Sequence, residues 1–507
     1  MQHNKDVENC ASKNYDSDSN AEKSRNRDYL LQFMLESLTR YDWPAPTYSL
    51  MGRFRRAAVT CDHGLCSEIG RDILIRGGNA VDSMIASLFC LGITNPQSSG
   101  IGGGFIVTMY NRTTRSCKVI DARETAPMNT SRDMYGSDEW ASKYGYRAIA
   151  TPGELAGGML TKMDLANYRP KVYETPLISD VPLGGFENPQ NISTGEALKM
   201  CGPPPPSSFV VTQSIINVMV ARFSDHIREG NMMSRKTVLD DIAFYHWLIE
   251  AQKFAYAYRT RLGDIDFVNS ALHLARNMTT LAAVKEILDH IPKSAQPAEY
   301  YTDNIQEHKE DHGTSHVSVI DTEGNGISAT STVNRWFGAV VQSEELGVVW
   351  NDEMDDFSTP EMSNGFGFAP AAANFIQPGK RPMSSMSPMV VFNENTGNLK
   401  FVIGASGGSK IISAIAKPLI RMLCFNETIK EAIDAPTLHN QFTPLETQYE
   451  ESVPKELIND LERKFGQKFK PSTGFEGIVQ GIHVADDGLI YANGDYRRRS
   501  NQHPEGF

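Results

Sequence analysis

Apolar and polar positions fall into short periodic blocks that predict helices and strands in alternation. Cys66-Ser-Glu-Ile-Gly-Arg-Asp-Ile-Leu74 has helical spacing and stops at Gly77-Gly78, glycine being the usual helix terminator. Asn79 then caps a second apolar helix that runs to about Leu91. Antiparallel packing of this pair brings Cys66 near Cys90, and either a disulfide or two buried thiols satisfies that geometry. Phe105–Asn111 and Cys117–Ala122 read as strands joined by turn residues. Pro203–Pro206 is a stiff linker or loop wall. Val238 to about Arg261 is the clearest helix, with Phe244, Leu248, Ala251, Ala255 and Tyr258 on one face and Gly263 as its stop. After Asp311 the texture turns to strands. His316–Ile320 and Ile327–Val333 flank a Thr-Glu-Gly-Asn turn as a hairpin, and the apolar strand Phe401–Ile403 precedes a helix over Lys410–Leu423. Strands interleaved with long helices fit sheets covered by helices on both faces.

Composition narrows the class. The 507 residues, 40% hydrophobic, suffice for a large core, and the net charge of −12 argues against nucleic acid as a partner. Arg497-Arg498-Arg499 reads as a solvated strand end or tail. Seven cysteines without CxxC spacing exclude a disulfide scaffold or a zinc ribbon. Sequons at Asn111, Asn129, Asn191, Asn277 and Asn426 lean toward a secreted setting. No apolar run of about 18 residues and no signal-peptide core is visible. Met1 to about Asp28 is polar and reads as disordered, with ordered sequence expected from near Ala57.

Four segments carry candidate chemistry. His308, His312 and His316 lack the Glu placement of zinc motifs and read as a solvated polar loop. Gly404-Ala-Ser406-Gly407-Gly408 satisfies G-x-S-x-G between a strand and a helix, so a serine hydrolase with Ser406 and a downstream His439 or His483 is one reading. Gly100–Gly104 lacks phosphate-loop spacing and points to close backbone packing or a tight approach to a ligand. Gly313-Thr314-Ser315-His316 offers another nucleophile. A Thr hydroxyl needs an adjacent base, and the α-amine of the same residue serves once the bond after a small residue such as Gly313 is cut.

These segments together resemble the γ-glutamyltransferase family from about Ala57 onward. The resemblance lies in Cys66-Ser-Glu-Ile-Gly-Arg-Asp, Gly77-Gly-Asn-Ala-Val-Asp82, Ser99-Gly-Ile-Gly-Gly-Gly, Asp121-Ala-Arg-Glu-Thr-Ala-Pro127 and Thr314-Ser-His-Val-Ser-Val. It continues in Ser328-Ala-Thr-Ser-Thr-Val-Asn334, Asn351-Asp-Glu-Met-Asp-Asp-Phe357, Pro382-Met-Ser-Ser-Met-Ser-Pro388 and Gly404–Gly408. It implies an α+β fold, a four-layer αββα sandwich of the N-terminal-nucleophile hydrolase type. It also implies self-cleavage between Gly313 and Thr314 into a large chain (57–313 after an atypical N-terminal segment, 1–56) and a small catalytic chain (314–507) that stay together. By the same resemblance Thr314 attacks the γ-carbonyl of glutathione or a γ-glutamyl conjugate, and water, an amino acid or a dipeptide releases the acyl group. Thr332 would bond the nucleophile, and Gly407 and Gly408 would hold the oxyanion. Arg123, Ser384 and Ser385 would take the donor carboxylate, and Asn334, Glu353 and Asp356 its ammonium. Cys66 and Cys90 would be bridged, and no metal or cofactor is implied.

Three departures stand out. The membrane anchor of eukaryotic members is not visible, although the resemblance implies the secretory pathway or the extracellular face. Trp336 stands where many animal members carry Tyr. Most serious, Thr151–Gly157 and Leu160–Arg169 match family segments that are normally far apart, so a long helical stretch is missing near 158–159 and core surface is expected to be exposed. An inactive, uncleaved isoform is therefore the alternative to an active enzyme.

Overall fold

The computed structural model describes residues 40–138, 140–154, 168–183, 197–223, 237–303, 305–306, 313–345, 347–360, 369–472, 477–499 and 502–507, and the statements below concern those residues. The expected disorder of Met1–Asp28, the shortened junction near 158–159, and His308 and His312 lie outside them.

Two seven-stranded antiparallel sheets face each other. The first has the order β1 (Met51–Phe54), β16 (Ile490–Gly494), β15 (Ile478–Val484), β11 (Leu399–Ser406), β10 (Met389–Asn393), β7 (Leu198–Gly202), β6 (Leu177–Asp180). The second runs β17 (Glu505–Gly506), β2 (Ala58–Cys61), β8 (Gly313–Ile320), β9 (Gly326–Asn334), β3 (Gly104–Asn111), β4 (Ser116–Ala122), β5 (Lys171–Tyr173). Short strands β12 (Leu438–His439), β13 (Thr447–Tyr449) and β14 (Phe469–Pro471) form a separate small sheet.

Helices α1 (Gly64–Ile75) and α2 (Ala80–Thr94) cover the second sheet, burying Cys66, Leu74, Met84 and Leu91 against Val59, Val107, Val317 and Ala329. The first sheet is covered by α3 (Phe209–Phe223), α4 (Val238–Arg259) and α7 (Lys410–Phe425), with α5 (Asn269–Met278), α6 (Leu281–His290), α8 (Ile429–Asp434) and α9 (Lys455–Phe465) around them. The expected αββα sandwich is thus present.

Local chemistry explains the boundaries. Asn79 accepts from the backbone N–H groups of Val81 and Asp82, while the Asp82 carboxylate accepts from Asn79 N–H, a reciprocal cap that starts α2. Thr237 and Asp240 do the same for α4. The stripe predicted on α4 is buried apart from the half-buried Tyr258, but so is most of the rest of that helix, because neighbours flank it on several sides. It ends at Arg259, before Gly263. Gly263 instead allows close packing, since a Cβ there would lie 2.6 Å from the Ala373 carbonyl. Ordered structure also begins earlier than Ala57. The Trp43 indole donates to Asp241 (2.8 Å) and stacks on Tyr245, Tyr41 donates to Asp460 (2.7 Å), and Lys430 holds the carbonyls of Thr47 and Ser49. Isolated aromatic anchors of this kind leave no periodic trace in a sequence.

The expected Cys66–Cys90 bridge is formed, with Cα atoms 5.4 Å apart. A second bridge, Cys117–Cys201, ties β4 of one sheet to β7 of the other across 84 residues. Because the longer loop constrains the unfolded chain more, replacing both Cys117 and Cys201 by Ser is expected to cost about 4 kcal/mol, against about 3 kcal/mol for the 24-residue Cys66–Cys90 loop. Thermal unfolding of the two double variants checks the order.

The outer face of α2 is bare. Val81, Ile85, Phe89 and Ile93 are exposed there, Ile93 to 81%. A groove of about 490 Å³ runs beside them, lined by Met84, Leu88, Phe105, Val348 and Glu154. Glu154 is the last residue described before the shortened junction.

Candidate active site

Gly313 and Thr314 open β8, the inner strand paired with β9. The register slips between them. Gly313 faces Asn334 while Thr314 faces Thr332, so Val333 is an extra residue on β9 and the Gly313–Thr314 peptide lies opposite that bulge. Gly313 is required there, because a Cβ would lie 2.4 Å from the Asn334 carbonyl. The Thr332 hydroxyl donates to the Gly313 carbonyl oxygen and accepts from the Asn334 backbone N–H (2.8 Å). Thr314 itself is 7% exposed.

The glycine-rich segment explains how β9 is set. A Cβ on Gly103 would lie 1.9 Å from the Thr332 carbonyl, and one on Gly102 would lie 2.0 Å from the Val349 carbonyl. Of its two expected roles, close backbone packing is the one observed. Asn351 completes the brace, its amide bonding the carbonyls of Gly102 (2.8 Å) and Ala150 (3.0 Å) and its oxygen accepting from Glu353 N–H (3.0 Å).

The turn Glu353–Asp356 is buried, against the ordinary expectation for an acidic loop. Its Glu353 and Asp356 pair with the Arg123 guanidinium, which is 1% exposed and also donates to the carbonyls of Pro382 (3.2 Å) and Met383 (3.0 Å). Ser384 and Ser385 follow directly. Ser384 N–H donates to the Pro206 carbonyl (2.8 Å), which makes Pro203–Pro206 a loop wall, and Arg259 donates to the Ser385 hydroxyl (3.1 Å). Asn334 donates to the Asp352 carbonyl (3.1 Å), while its side-chain oxygen is buried without a hydrogen-bond partner among the described residues. Gly407 and Gly408, with φ of +118° and +61°, turn the chain from β11 into α7. Burial alone would lower the Arg123 pKa, but Glu353, Asp356 and Glu124 hold it above its ordinary value.

Glu124 was not singled out by sequence reasoning, although it lies inside the quoted Asp121–Pro127 motif; a lone Glu gives no sign of its burial. It is fully buried, its carboxyl has no hydrogen-bond partner among the described residues, and it lies 3.9 Å from Arg123. Burial pushes it up to about 8 against the pull of Arg123, so it is neutral at pH 7. Burial likewise pushes Glu154, which accepts from Ser331, up to about 8. In the unfolded chain Glu124 returns to the ordinary carboxylate range. Between that range and pH 8 the native state binds the extra proton, so this group's contribution to stability falls as pH rises across the window. Glu124→Gln is therefore expected to be near neutral at acid pH and stabilising by on the order of 3 kcal/mol by about pH 8, read by chemical denaturation at both ends.

Other candidates resolve differently. The Ser406 hydroxyl bonds Asp62, not a histidine. His439 bonds Ser413 and Gln441, and His483 stacks on Phe401. The serine-hydrolase arrangement is therefore not assembled. His316 is not part of a solvated loop. It is fully buried on β8, bonded to Thr330 and Ser318, and burial pushes its pKa down to about 3. Arg497 is also not solvated, being pinned by Glu450, Asp495 and the carbonyls of Ile433 and Ala435.

The family described as Gamma-glutamyltranspeptidase matches residues 66–157 and 154–504. The chain belongs to that family. Among curated relatives, Scoloptoxin SSD14 of Scolopendra dehaani is 34% identical over 545 aligned positions, covering 89% of this chain and 92% of its own. Glutathione hydrolase 2 of Arabidopsis thaliana is 32% identical, covering 82% and 87%. An alignment longer than the 507 residues of this γ-glutamyltranspeptidase-family chain means that the relative carries residues absent here, and the family match falls into two pieces that meet at 154–157, just before the shortening expected near 158–159. Among solved structures, cephalosporin acylase from Bacillus halodurans superposes with a TM-score of 0.72 over 92% of this chain and 99% of its own, at 16% identity, a likeness of fold.

Proposed function

We propose that this chain is a self-cleaving γ-glutamyltransferase and glutathione hydrolase with Thr314 as nucleophile. The observation that carries the reading is the Gly313–Thr314 peptide opposite the β9 bulge, whose Gly313 carbonyl takes a hydrogen bond from Thr332. That bond polarises the carbonyl for attack by the adjacent Thr314 hydroxyl. The C–N bond breaks as the ester forms, water hydrolyses the ester, and the α-amine of Thr314 is freed. With an ordinary pKa near 8 the amine then accepts the hydroxyl proton when Thr314 attacks a γ-glutamyl carbonyl. The N–H groups of Gly407 and Gly408 stabilise the oxyanion. The thiol-bearing remainder of glutathione leaves, and water or the amine of an amino acid or dipeptide takes the acyl group.

Recognition follows from charge exchange. Arg123 is paired with Glu353 and Asp356 in the unbroken chain. A donor's α-carboxylate replaces those acids on Arg123, with hydroxyl donation from Ser384 and Ser385. Its α-ammonium takes over Glu353, Asp356 and the open Asn334 oxygen. Trp336, 50% exposed and two residues past Asn334 in the chain, is the residue on which acceptor preference should depend. Residues 1–313 and 314–507 remain associated as a heterodimer, because β8 pairs with β2 and β9 with β3, each across the cut. Passage through the secretory pathway fits the exposed sequon asparagines Asn111, Asn129, Asn277 and Asn426; no helix among the described residues is long and apolar enough to cross a membrane.

A second reading, an uncleaved chain without transferase activity, is favoured by the bare face of α2 beside the broken family match. Denaturing electrophoresis with N-terminal sequencing of the purified protein, alongside glutamate release from glutathione, decides. A fragment beginning Thr-Ser-His-Val with glutamate release is the expected result. A single intact band with no release would establish the second reading.

A further inference from the structure

We propose that Asp62 is a positioning residue that fixes the Thr314 strand and the Gly407–Gly408 turn relative to each other across the two sheets. The inference rests on the roles given above to Thr314 and the two glycines. Between the sheets the packing is apolar around Ile320, Phe392 and Ile482 but polar toward Thr314. At that end Ser328 donates to the Ile403 carbonyl (2.8 Å) and Ser318 to the Gln480 carbonyl (3.0 Å), joining β8 and β9 of one sheet to β11 and β15 of the other.

Asp62 is the hub of this seam. It follows β2 and is fully buried. Its carboxylate accepts from the Ser406 hydroxyl (3.1 Å), from the Gln480 amide (3.0 Å) and from the backbone N–H of His316, and lies 3.5 Å from Arg498. Ser406 immediately precedes Gly407, and His316 is two residues past Thr314. The Gln480 amide is itself oriented, since its oxygen accepts from Thr60 (2.8 Å). One side chain therefore grips both halves of the reacting site. Only a carboxylate suits the place, because donors converge on it from several directions and it is purely an acceptor. An amide at position 62 must turn at least one N–H toward another donor. Misplacement of a reacting group by about 1 Å can cost about a hundredfold in rate.

The test compares the wild-type chain with Asp62→Asn, Ser406→Ala and Arg498→Met. It reads kcat and KM for glutathione, and hydrogen exchange of the peptide spanning Gly407-Gly408. Asp62→Asn is expected to lower kcat by about tenfold to a hundredfold with KM within about twofold, and to speed exchange at the turn. Arg498→Met removes the cation that faces the buried Asp62 carboxylate and should give a smaller loss in the same direction. A folded Asp62→Asn protein with wild-type kcat and exchange, or a loss confined to KM, would overturn the proposal. If Asp62→Asn does not fold, Ser406→Ala decides: a smaller loss in kcat at unchanged KM with faster exchange supports the strut, and no change in either refutes it. A wild-type chain that releases no glutamate would refute the functional reading alone, because the exchange measurement still decides the role of Asp62.

Discussion

Replacing Thr314 with Ala is expected to leave one unbroken chain of 56.2 kDa and to lower glutathione turnover by at least about a thousandfold. Both effects come from the same atom. In the mechanism proposed above the hydroxyl attacks the Gly313 carbonyl once during maturation and the donor carbonyl in every later turnover, and alanine has no group for either step. The Thr332 bond to the Gly313 carbonyl persists in the variant, so polarisation without a nucleophile should cut nothing. Thr314→Ser keeps the hydroxyl and should cleave, more slowly, because the lost methyl loosens a side chain that is 93% buried. Electrophoresis over a time course, paired with glutamate release, separates the variants. An alanine variant that still yields a chain beginning at residue 314, or that keeps wild-type turnover, would remove Thr314 from the mechanism.

The sequence made the framework readable where a feature is local. The Asn79 cap, the α1–α2 pair, the β8–β9 hairpin and the strand before Gly407 all announce themselves through short-range periodicity and cap chemistry. Motif order brought Arg123, Glu353 and Asp356 into one reading, and the structure places them in contact. What stayed hidden depends on distant packing. Asp62 meets Ser406 344 positions away and Gln480 418 positions away, and no spacing rule reaches that far. The Cys117–Cys201 bridge required knowing which edges of the two sheets come together. Arg497 looked like solvated charge because a single sequence shows charge and not its counter-charge. The bare α2 face is the converse case, an apolar stripe that reads as core and finds no cover among the described residues.

Arg123 is expected to give the second large effect, and its direction depends on the replacement. The guanidinium spans Glu353 and Asp356 on one side and two backbone carbonyls on the other, a fork that a lysine ammonium cannot reproduce. Arg123→Lys should therefore keep the charge, fold, and raise the KM for glutathione by about a hundredfold, as expected for loss of a bidentate carboxylate contact worth about 2–3 kcal/mol. Arg123→Met removes the charge and strands two carboxylates that are 1% and 4% exposed, which should cost about 3–5 kcal/mol of stability. That penalty belongs to the abandoned acids and not to the lost arginine. Adding Glu353→Gln and Asp356→Asn to Arg123→Met should therefore restore about 2 kcal/mol or more, although each acid substitution alone destabilises. The cycle is best measured in the Thr314→Ala background, where the chain stays in one piece and unfolding remains unimolecular. Strictly additive losses would mean that Arg123 does not neutralise the acidic turn, and a donor carboxylate could not then gain its place by exchanging with Glu353 and Asp356.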